Sequence, residues 1–139
     1  HQLAMYVVYE SPLQMLCDSP SAYLREPEMM EFLSKVPTVW DETLVLEAKM
    51  GDYLAVARKN GENWYLGVMT DWTPRELELK LDFLGTGKLW QADLWLDGPN
   101  ASRYASDFSH KSLPISSGEL LKISLAPGGG AVVRFKPIR

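Results

Sequence analysis

The spacing of hydrophobic and polar positions changes along the chain, and the clearest pattern lies in its middle. In segment 76–83, every second residue is apolar and the residues between them are charged. Such alternation places one face of a strand against a core and the other face in water. Segment 64–71 precedes it and is apolar enough for a buried strand, with alternate residues pointing to opposite sides. One set is Trp64, Leu66, Val68 and Thr70, and the other is Tyr65, Gly67, Met69 and Asp71.

Strand patterns continue from residue 43 to residue 136, separated by turns rich in Gly, Asn, Asp and Pro. We expect eight strands, at residues 43–49, 53–59, 64–71, 76–83, 88–96, 113–116, 120–125 and 131–136. The pair Asn60-Gly61 favours a tight hairpin between the second and third strands. This pattern predicts a mainly β fold, an antiparallel two-sheet β-sandwich with Greek-key connections.

The beginning of the chain shows a different pattern. Segments 1–9 and 27–35 indicate helices, and Pro27 falls in the first turn, where a helix accepts proline. The apolar run 13–17 lies between them and is too short for periodicity to separate strand from helix. A turn is expected at 18–21. The order helix, short buried element, turn and helix is typical of the end of a (β/α) barrel, which these elements cannot close alone.

Composition limits the class of protein. The chain has 139 residues, and 46% of them are hydrophobic, which is enough for one ordinary core. Charged residues make up 23%, the net charge is -4, and the sequence has no Lys/Arg cluster, so we expect no nucleic-acid partner. No apolar run is long enough to span a membrane, so we expect no membrane partner either.

Cysteine and histidine are rare in this chain. Cys17 is the single cysteine, which excludes an internal disulfide and a cysteine-based zinc site, and its apolar neighbours predict a buried thiol. His1 and His110 have no partner at metal-ligand spacing, and we expect His110 in water within a loop at 97–110. The chain opens at His1 in an apolar helical pattern, so we expect a piece of a longer protein whose targeting signals lie upstream.

Three segments resemble the C-terminal region of family 97 of the glycoside hydrolases. They are HQLAMYVVYESPLQML at 1–16, VPTVWDET at 36–43 and WYLGVMTDWTPR at 64–75. The half after Gly85 agrees mainly in its strand pattern. The resemblance implies two parts. Residues 1–38 would be the C-terminal remnant of the catalytic (β/α)8 barrel, and residues 39–139 would be the C-terminal β-sandwich domain.

The resemblance also implies a function. The parent protein would be a bacterial α-glucosidase or α-galactosidase, periplasmic or secreted, that hydrolyses an oligosaccharide in a catalytic region with bound calcium. The sandwich would be a structural cap that packs on its own catalytic barrel in cis. The alternative is a carbohydrate-binding β-sandwich module. The chain alone is expected to be inactive and to self-associate, because segment 1–35 presents apolar surface that the barrel would cover.

Catalytic carboxylates do not stand out in this chain. A glycosidase needs two carboxylates flanking one bond, and the adjacent Asp41 and Glu42 point to opposite faces of a strand. We therefore assign no catalytic, cofactor-binding or metal-binding residue, and expect the family's calcium ligands upstream. Asp18 and Ser19 follow the expected eighth barrel strand, which makes them candidates for the pocket rim of the full enzyme. The alternative is a turn in which Asp18 binds local backbone.

Four aromatic side chains are candidates for carbohydrate or interdomain contacts. They are Trp72, Trp90, Trp95 and Tyr104. Trp90 and Trp95 have an odd separation and point to opposite faces of one strand, so we expect at most one of them in the core. The other would be exposed, at a sheet interface or against the barrel. Packing between layers is favoured over sugar binding, since large aromatics dominate domain contacts. Trp72 follows the central strand, and we expect it to be buried, either anchoring its turn onto the sandwich or facing the helices of the barrel.

Overall fold

The computed structural model describes residues 1–11 and 18–138. Within these ranges it contains three helices, α1 (Gln2–Val8), α2 (Pro20–Tyr23) and α3 (Pro27–Leu33), and a 3₁₀ turn at Asp82–Leu84. The strands are β1 (Glu42–Lys49), β2 (Tyr53–Asn60), β3 (Asn63–Thr70), β4 (Arg75–Lys80), β5 (Leu89–Asp97), β6 (Phe108–Ser116), β7 (Leu120–Leu125) and β8 (Gly130–Pro137). None of the described helices is long and apolar enough to cross a bilayer.

Two antiparallel sheets form the body of the protein. Six strands pair in the order β1-β2-β3-β8-β5-β6, and β4 pairs with β7 in a second sheet. Strands β1 to β3 form a meander whose turns contain Gly51 and Gly61, at φ values of 79° and 58° that suit glycine. The prediction of a mainly β, antiparallel two-sheet sandwich preceded by helices is confirmed.

The larger hydrophobic core lies between the two sheets. The small sheet contributes alternate residues of both its strands, as the apolar alternation predicted: Leu77, Leu79, Leu121, Ile123 and Leu125. The large sheet contributes Trp64, Leu66, Val68, Trp90, Leu94, Val133 and Phe135, among others. Each fully buried side chain of this kind contributes roughly 1.5–3 kcal/mol of transfer free energy. This core therefore holds the two sheets together.

Helices α1 and α3 cover the other face of the six-stranded sheet. A second core lies there, made of Ala4, Val7, Phe32, Tyr65, Trp95 and Val132. Strand β3 serves both cores because alternate residues point to opposite faces, with Leu66 in the first core and Tyr65 in the second. The described molecule thus has three layers, in the order helices, large sheet and small sheet.

Strand β4 is shorter than predicted. It ends at Lys80, and the 3₁₀ turn Asp82–Leu84 replaces the last residues of the predicted segment 76–83. The turn places the Phe83 ring 5.0 Å from the Trp64 ring, in an edge-to-face arrangement. Aromatic packing against the large sheet therefore overrides the alternation at this point.

Other elements also differ from the predictions. Strand β6 begins at Phe108 instead of residue 113, because Phe108 pairs with Asp97 and extends the ladder with β5. Helix α3 ends at Leu33, and the short helix α2 was not predicted. The predicted element at 13–17 and the predicted buried thiol of Cys17 lie outside the described residues.

Candidate functional site

The contact between α3 and the six-stranded sheet is built around aromatic rings. The Phe32 ring is fully buried, and its centroid lies 5.2 Å from that of Trp95 and 6.4 Å from that of Tyr65. The polar groups of the two sheet aromatics bind backbone carbonyls of α3 and of the segment just after it. The Trp95 indole donates to the Glu28 carbonyl at 2.8 Å, and the Tyr65 hydroxyl donates to the Lys35 carbonyl at 3.1 Å. These bonds fix the helix in one position on the sheet.

An ion-pair network lies beside these rings. The Arg134 guanidinium, 1% exposed, donates from Nη2 to Asp93 Oδ2 at 2.8 Å and to Glu31 Oε1 at 3.1 Å. The Asp93 carboxylate also contacts Lys136 Nζ at 2.9 Å and accepts a bond from the Ser112 hydroxyl at 2.6 Å. The network therefore joins α3, through Glu31, to strands β5, β6 and β8.

The ionisation of this network follows from its contacts. Burial raises the pKa of the Asp93 carboxyl, but hydrogen bonds from Ser112, Arg134 and Lys136 outweigh it and hold the pKa at about 2. A hydrogen bond from Lys35 is the main cause that lowers the pKa of Glu31. Both carboxylates are thus charged at neutral pH and bonded to cations, which suits them to structural contacts rather than to proton transfer.

A second ordered cluster surrounds the turn after β3. Asp71 Oδ1 accepts from the Thr73 backbone N–H at 2.9 Å and lies 3.3 Å from Arg75 Nη2. The bond from the Thr73 backbone is the main cause that lowers the pKa of Asp71. The Asp71 carbonyl accepts from the Gly128 N–H at 2.7 Å, so this turn is joined to the turn between β7 and β8. Trp72 sits on this turn with 84% of its surface exposed.

An apolar groove lies along α2 and α3. It has a volume of about 650 Å³, and its lining residues are Asp18, Pro20, Tyr23, Leu24, Pro27, Met30, Glu31, Ser34 and Lys35. The candidates Asp18 and Ser19 are both exposed, and Asp18 Oδ1 accepts from the Ser19 N–H at 2.7 Å. Asp18 therefore binds local backbone, as the turn alternative predicted, while also lying at the edge of the groove.

The structure separates the four candidate aromatics into two classes. Trp90 and Trp95 are 4% and 2% exposed, so neither ring is open to a sugar in this structure. They point to opposite faces as predicted, with Trp90 in the core between the sheets and Trp95 packed against the helices. Tyr104 is 67% exposed. The expected burial of Trp72 is wrong, because most of its side chain is open to solvent in this structure.

His110 lies on β6 rather than in a solvated loop. Its ring stacks on the Trp95 ring at a centroid distance of 4.5 Å and an interplanar angle of 8°. The prediction of a solvated histidine is therefore wrong, because β6 begins earlier than expected. Sequence reasoning also missed the pair of Arg134 and Asp93. The available signal was a charged residue flanked by apolar residues within each of the two strands, Asp93 between Ala92 and Leu94 and Arg134 between Val133 and Phe135.

The described carboxylates do not assemble a metal centre. Within residues 1–11 and 18–138, no group of three or more His, Cys, Asp or Glu side chains could hold a metal ion. Asp97, between β5 and the following loop, accepts from the Ala126 and Gly130 N–H groups at 2.9 and 3.1 Å. Like Asp71 and Asp93, it holds neighbouring chain segments in place.

The fold and its helix contacts define a β-sandwich domain that carries helices on the outer face of its larger sheet. The family model described as "Glycosyl-hydrolase 97 C-terminal, oligomerisation" matches residues 39–136. The chain belongs to this family, as its three sequence segments indicated.

Known relatives agree with this assignment. The chain is 50% identical over 135 residues to a "Retaining alpha-galactosidase" of Bacteroides thetaiotaomicron, covering 97% of the chain and 20% of that protein. It is 30% identical over 129 residues to a "Probable retaining alpha-galactosidase" of Streptomyces bingchenggensis, covering 93% and 19%. A glycoside hydrolase family 97 enzyme from Pseudoalteromonas sp. strain K8, solved with acarbose, matches at TM-score 0.94 and 37% identity, covering 99% and 22%. The chain spans about a fifth of each relative.

Proposed function

We propose that this chain is the C-terminal part of a retaining α-galactosidase, in which the sandwich is a structural cap on the catalytic region. The support is the 50% identity to a protein of that name across nearly the whole chain. The α-glucosidase alternative is less favoured, because the second relative is also named as a probable α-galactosidase. The catalytic carboxylates and the bound oligosaccharide would belong to the part of the enzyme outside this chain.

The observation that carries the structural role is the part-buried ion pair between α3 and the sheet. Arg134 is almost fully buried and joins Glu31 of the helix to Asp93 of the sheet. In the barrel interpretation, α1 and α3 are the last helices of the catalytic barrel. The sandwich then holds the end of the barrel by an ion pair and by the ring of Phe32. A buried ion pair of this kind favours one relative position of its elements.

The test uses the full-length enzyme that contains this chain. We expect hydrolysis of aryl α-galactosides with a higher kcat/KM than of aryl α-glucosides.

The variants Arg134→Met and, as the milder change, Glu31→Gln should lower the melting temperature and the yield of soluble enzyme. The kcat per folded molecule should stay near that of the wild type. Lys122→Met is the matched control, because this cation lies on the exposed face of β7 and pairs with the exposed Glu78 carboxylate at 2.7 Å.

Two results would contradict these proposals separately. The absence of hydrolysis of both substrate classes would refute the proposed activity. A loss of kcat in Glu31→Gln without any change in melting temperature would refute the structural role, because a group that only holds the helix acts through folding.

We also propose that calcium binds in the catalytic region, outside this chain. The described residues do not fit a calcium site, since they contain no suitable group of ligands. We therefore expect the 139-residue chain to melt at the same temperature with calcium and with a chelator. A rise of several degrees on adding calcium would place a site in this chain.

Self-association is a second proposed role, and the family description names oligomerisation. The apolar groove along α2 and α3 is the surface that supports it in the isolated chain, because Leu24 there is 80% exposed. Exposed apolar surface favours association when nothing else covers it. In the full enzyme the catalytic barrel would cover part of this groove.

A carbohydrate-binding module is the other candidate function. The observation that favours it is the exposure of Trp72 and Tyr104, since exposed rings can stack on sugars. Affinity electrophoresis of the chain through gels containing galactomannan or starch tests this. Retardation that Trp72→Ala or Tyr104→Ala abolishes would support the module, whereas unchanged mobility would support the structural cap.

A further inference from the structure

Two exposed apolar side chains share one end of the sandwich. Met50 is 100% exposed and Trp72 is 84% exposed, the two highest values among the exposed large hydrophobic residues described. Their turns are bonded to each other, because the Asp71 N–H donates to the Asp52 carbonyl at 2.8 Å. The turns that carry these side chains are therefore adjacent, and we call the surface that the two turns form the Trp72 surface.

The turn that carries Trp72 is rigid. Asp71 accepts from the Thr73 N–H through its side chain and from the Gly128 N–H through its carbonyl. The indole lies over Gly128, where an added Cβ would be 3.1 Å from Cζ3 of Trp72. One face of the ring is thus supported, while most of its surface stays open to solvent. A partner that packs on this ring loses little free energy in ordering it.

The start of the chain lies next to the same turn. His1 Nδ1 is 3.0 Å from the Gly129 carbonyl oxygen, and a Cβ on Gly130 would lie 2.8 Å from the His1 Cα. Trp72 packs on Gly128 in the same turn. Any polypeptide joined to His1 therefore emerges within a few residues of the Trp72 surface.

We propose that the Trp72 surface is the docking site for the polypeptide that precedes His1 in the full enzyme. The inference rests on the proposed function, in which the catalytic region lies before His1. The chain spans 20% of the length of its relative from Bacteroides thetaiotaomicron, so a large partner in cis is available to cover the surface. Its contact would be an apolar segment that packs on Trp72 and Met50. Tryptophan is among the side chains enriched at the energetic centres of such contacts.

Hydroxyl-radical footprinting of the full-length enzyme, read by mass spectrometry, tests this docking. The oxidation rate of Trp72 should fall to the level of buried Trp90, and Met50 should be protected with it. Tyr104 is the exposed reference and should stay reactive. In the 139-residue chain, Trp72 should react as an exposed side chain. Equal reactivity of Trp72 in the chain and in the full enzyme would overturn the proposal.

Two controls identify what covers the Trp72 surface in the full-length enzyme. Protection of Trp72 should persist in enzyme diluted until sedimentation shows only monomer, and it should not change when galactose or melibiose is added. Protection lost on dilution would assign the surface to a second copy, and protection that needs sugar would assign it to a glycan. Either result overturns docking in cis. These rates do not depend on turnover, so an enzyme without α-galactosidase activity refutes the proposed activity and leaves this test intact.

A variant gives a second measurement. Trp72→Ala should leave the melting temperature of the 139-residue chain nearly unchanged, because the side chain is exposed there. In the full-length enzyme the same change should lower the melting temperature and speed proteolysis near His1. Tyr104→Ala is the matched aromatic control and should do neither. Identical melting and proteolysis of Trp72→Ala and wild-type full-length enzyme would contradict the proposal.

Discussion

Gly67 of β3 and Val7 of α1 approach so closely that a methyl group on Gly67 would lie 2.9 Å from the Val7 Cβ. The same methyl group would lie 2.9 Å from Cγ2 of Val8. The helix therefore rests directly on the strand backbone, and glycine is required by this approach rather than by its φ angle.

Gly67→Ala should lower the free energy of unfolding by about 1–3 kcal/mol, because overpacking forces the helix away from the sheet. Urea denaturation of the chain measures the effect. Gly118→Ala is the matched control, since a Cβ there meets nothing within 4 Å. If Gly67→Ala and the wild type had the same urea midpoint, the helix would be able to shift away from the added methyl group without a loss of stability.

Asp93→Asn should destabilise the chain strongly. The change leaves the buried Arg134 guanidinium without its closest carboxylate, and breaking a buried pair typically costs about 3–5 kcal/mol. Thermal and urea unfolding measure the loss. Glu78→Gln is the control on the exposed pair with Lys122 and should unfold like the wild type. A replacement of both Asp93 and Arg134 by apolar residues should recover part of the loss, and full stability of Asp93→Asn alone would contradict this account.

The stability of the chain should depend on pH through Asp93. Its pKa is lowered from 3.8 to about 2 in the folded protein, so the unfolded chain binds more protons between these values. The stabilisation is present above about pH 4 and is lost as the pH falls through about 2. Denaturation midpoints measured from pH 5 to pH 2 should fall steeply in the wild type. The Asp93→Asn variant should show a flatter dependence, and parallel curves for the two proteins would show that other carboxyl groups dominate.

Self-association of the isolated chain should depend on Leu24. Leu24→Glu places a charge at the apolar groove along α2 and α3, so it should reduce the concentration dependence of the sedimentation coefficient. Leu120→Glu is the matched control, because Leu120 is an exposed leucine of the small sheet, 52% exposed. A wild-type chain that stays monomeric at high concentration would rule out self-association, and equal effects of both variants would rule out this groove as its site.

Much of the fold could be predicted because strand signals are local. The alternation in 76–83 and the two-faced pattern in 64–71 identified β4 and β3, and the turn residues identified the hairpins. Errors occurred where a distant partner decides the outcome. Phe83 leaves the strand to pack on Trp64, and Phe108 extends β6 because β5 lies beside it.

The candidate site shows the same division. Local patterns and motifs are enough to predict an antiparallel sandwich preceded by helices and to identify one glycosidase family. The tertiary structure alone brings Arg134 to Asp93, 41 residues away, because this pairing depends on β8 lying beside β5. It also decided that Trp95 is covered while Trp72 is open. Local periodicity encodes the face of an element to which a residue points. It does not encode whether a distant segment of the chain packs on that face, and this packing decides whether the side chain is buried.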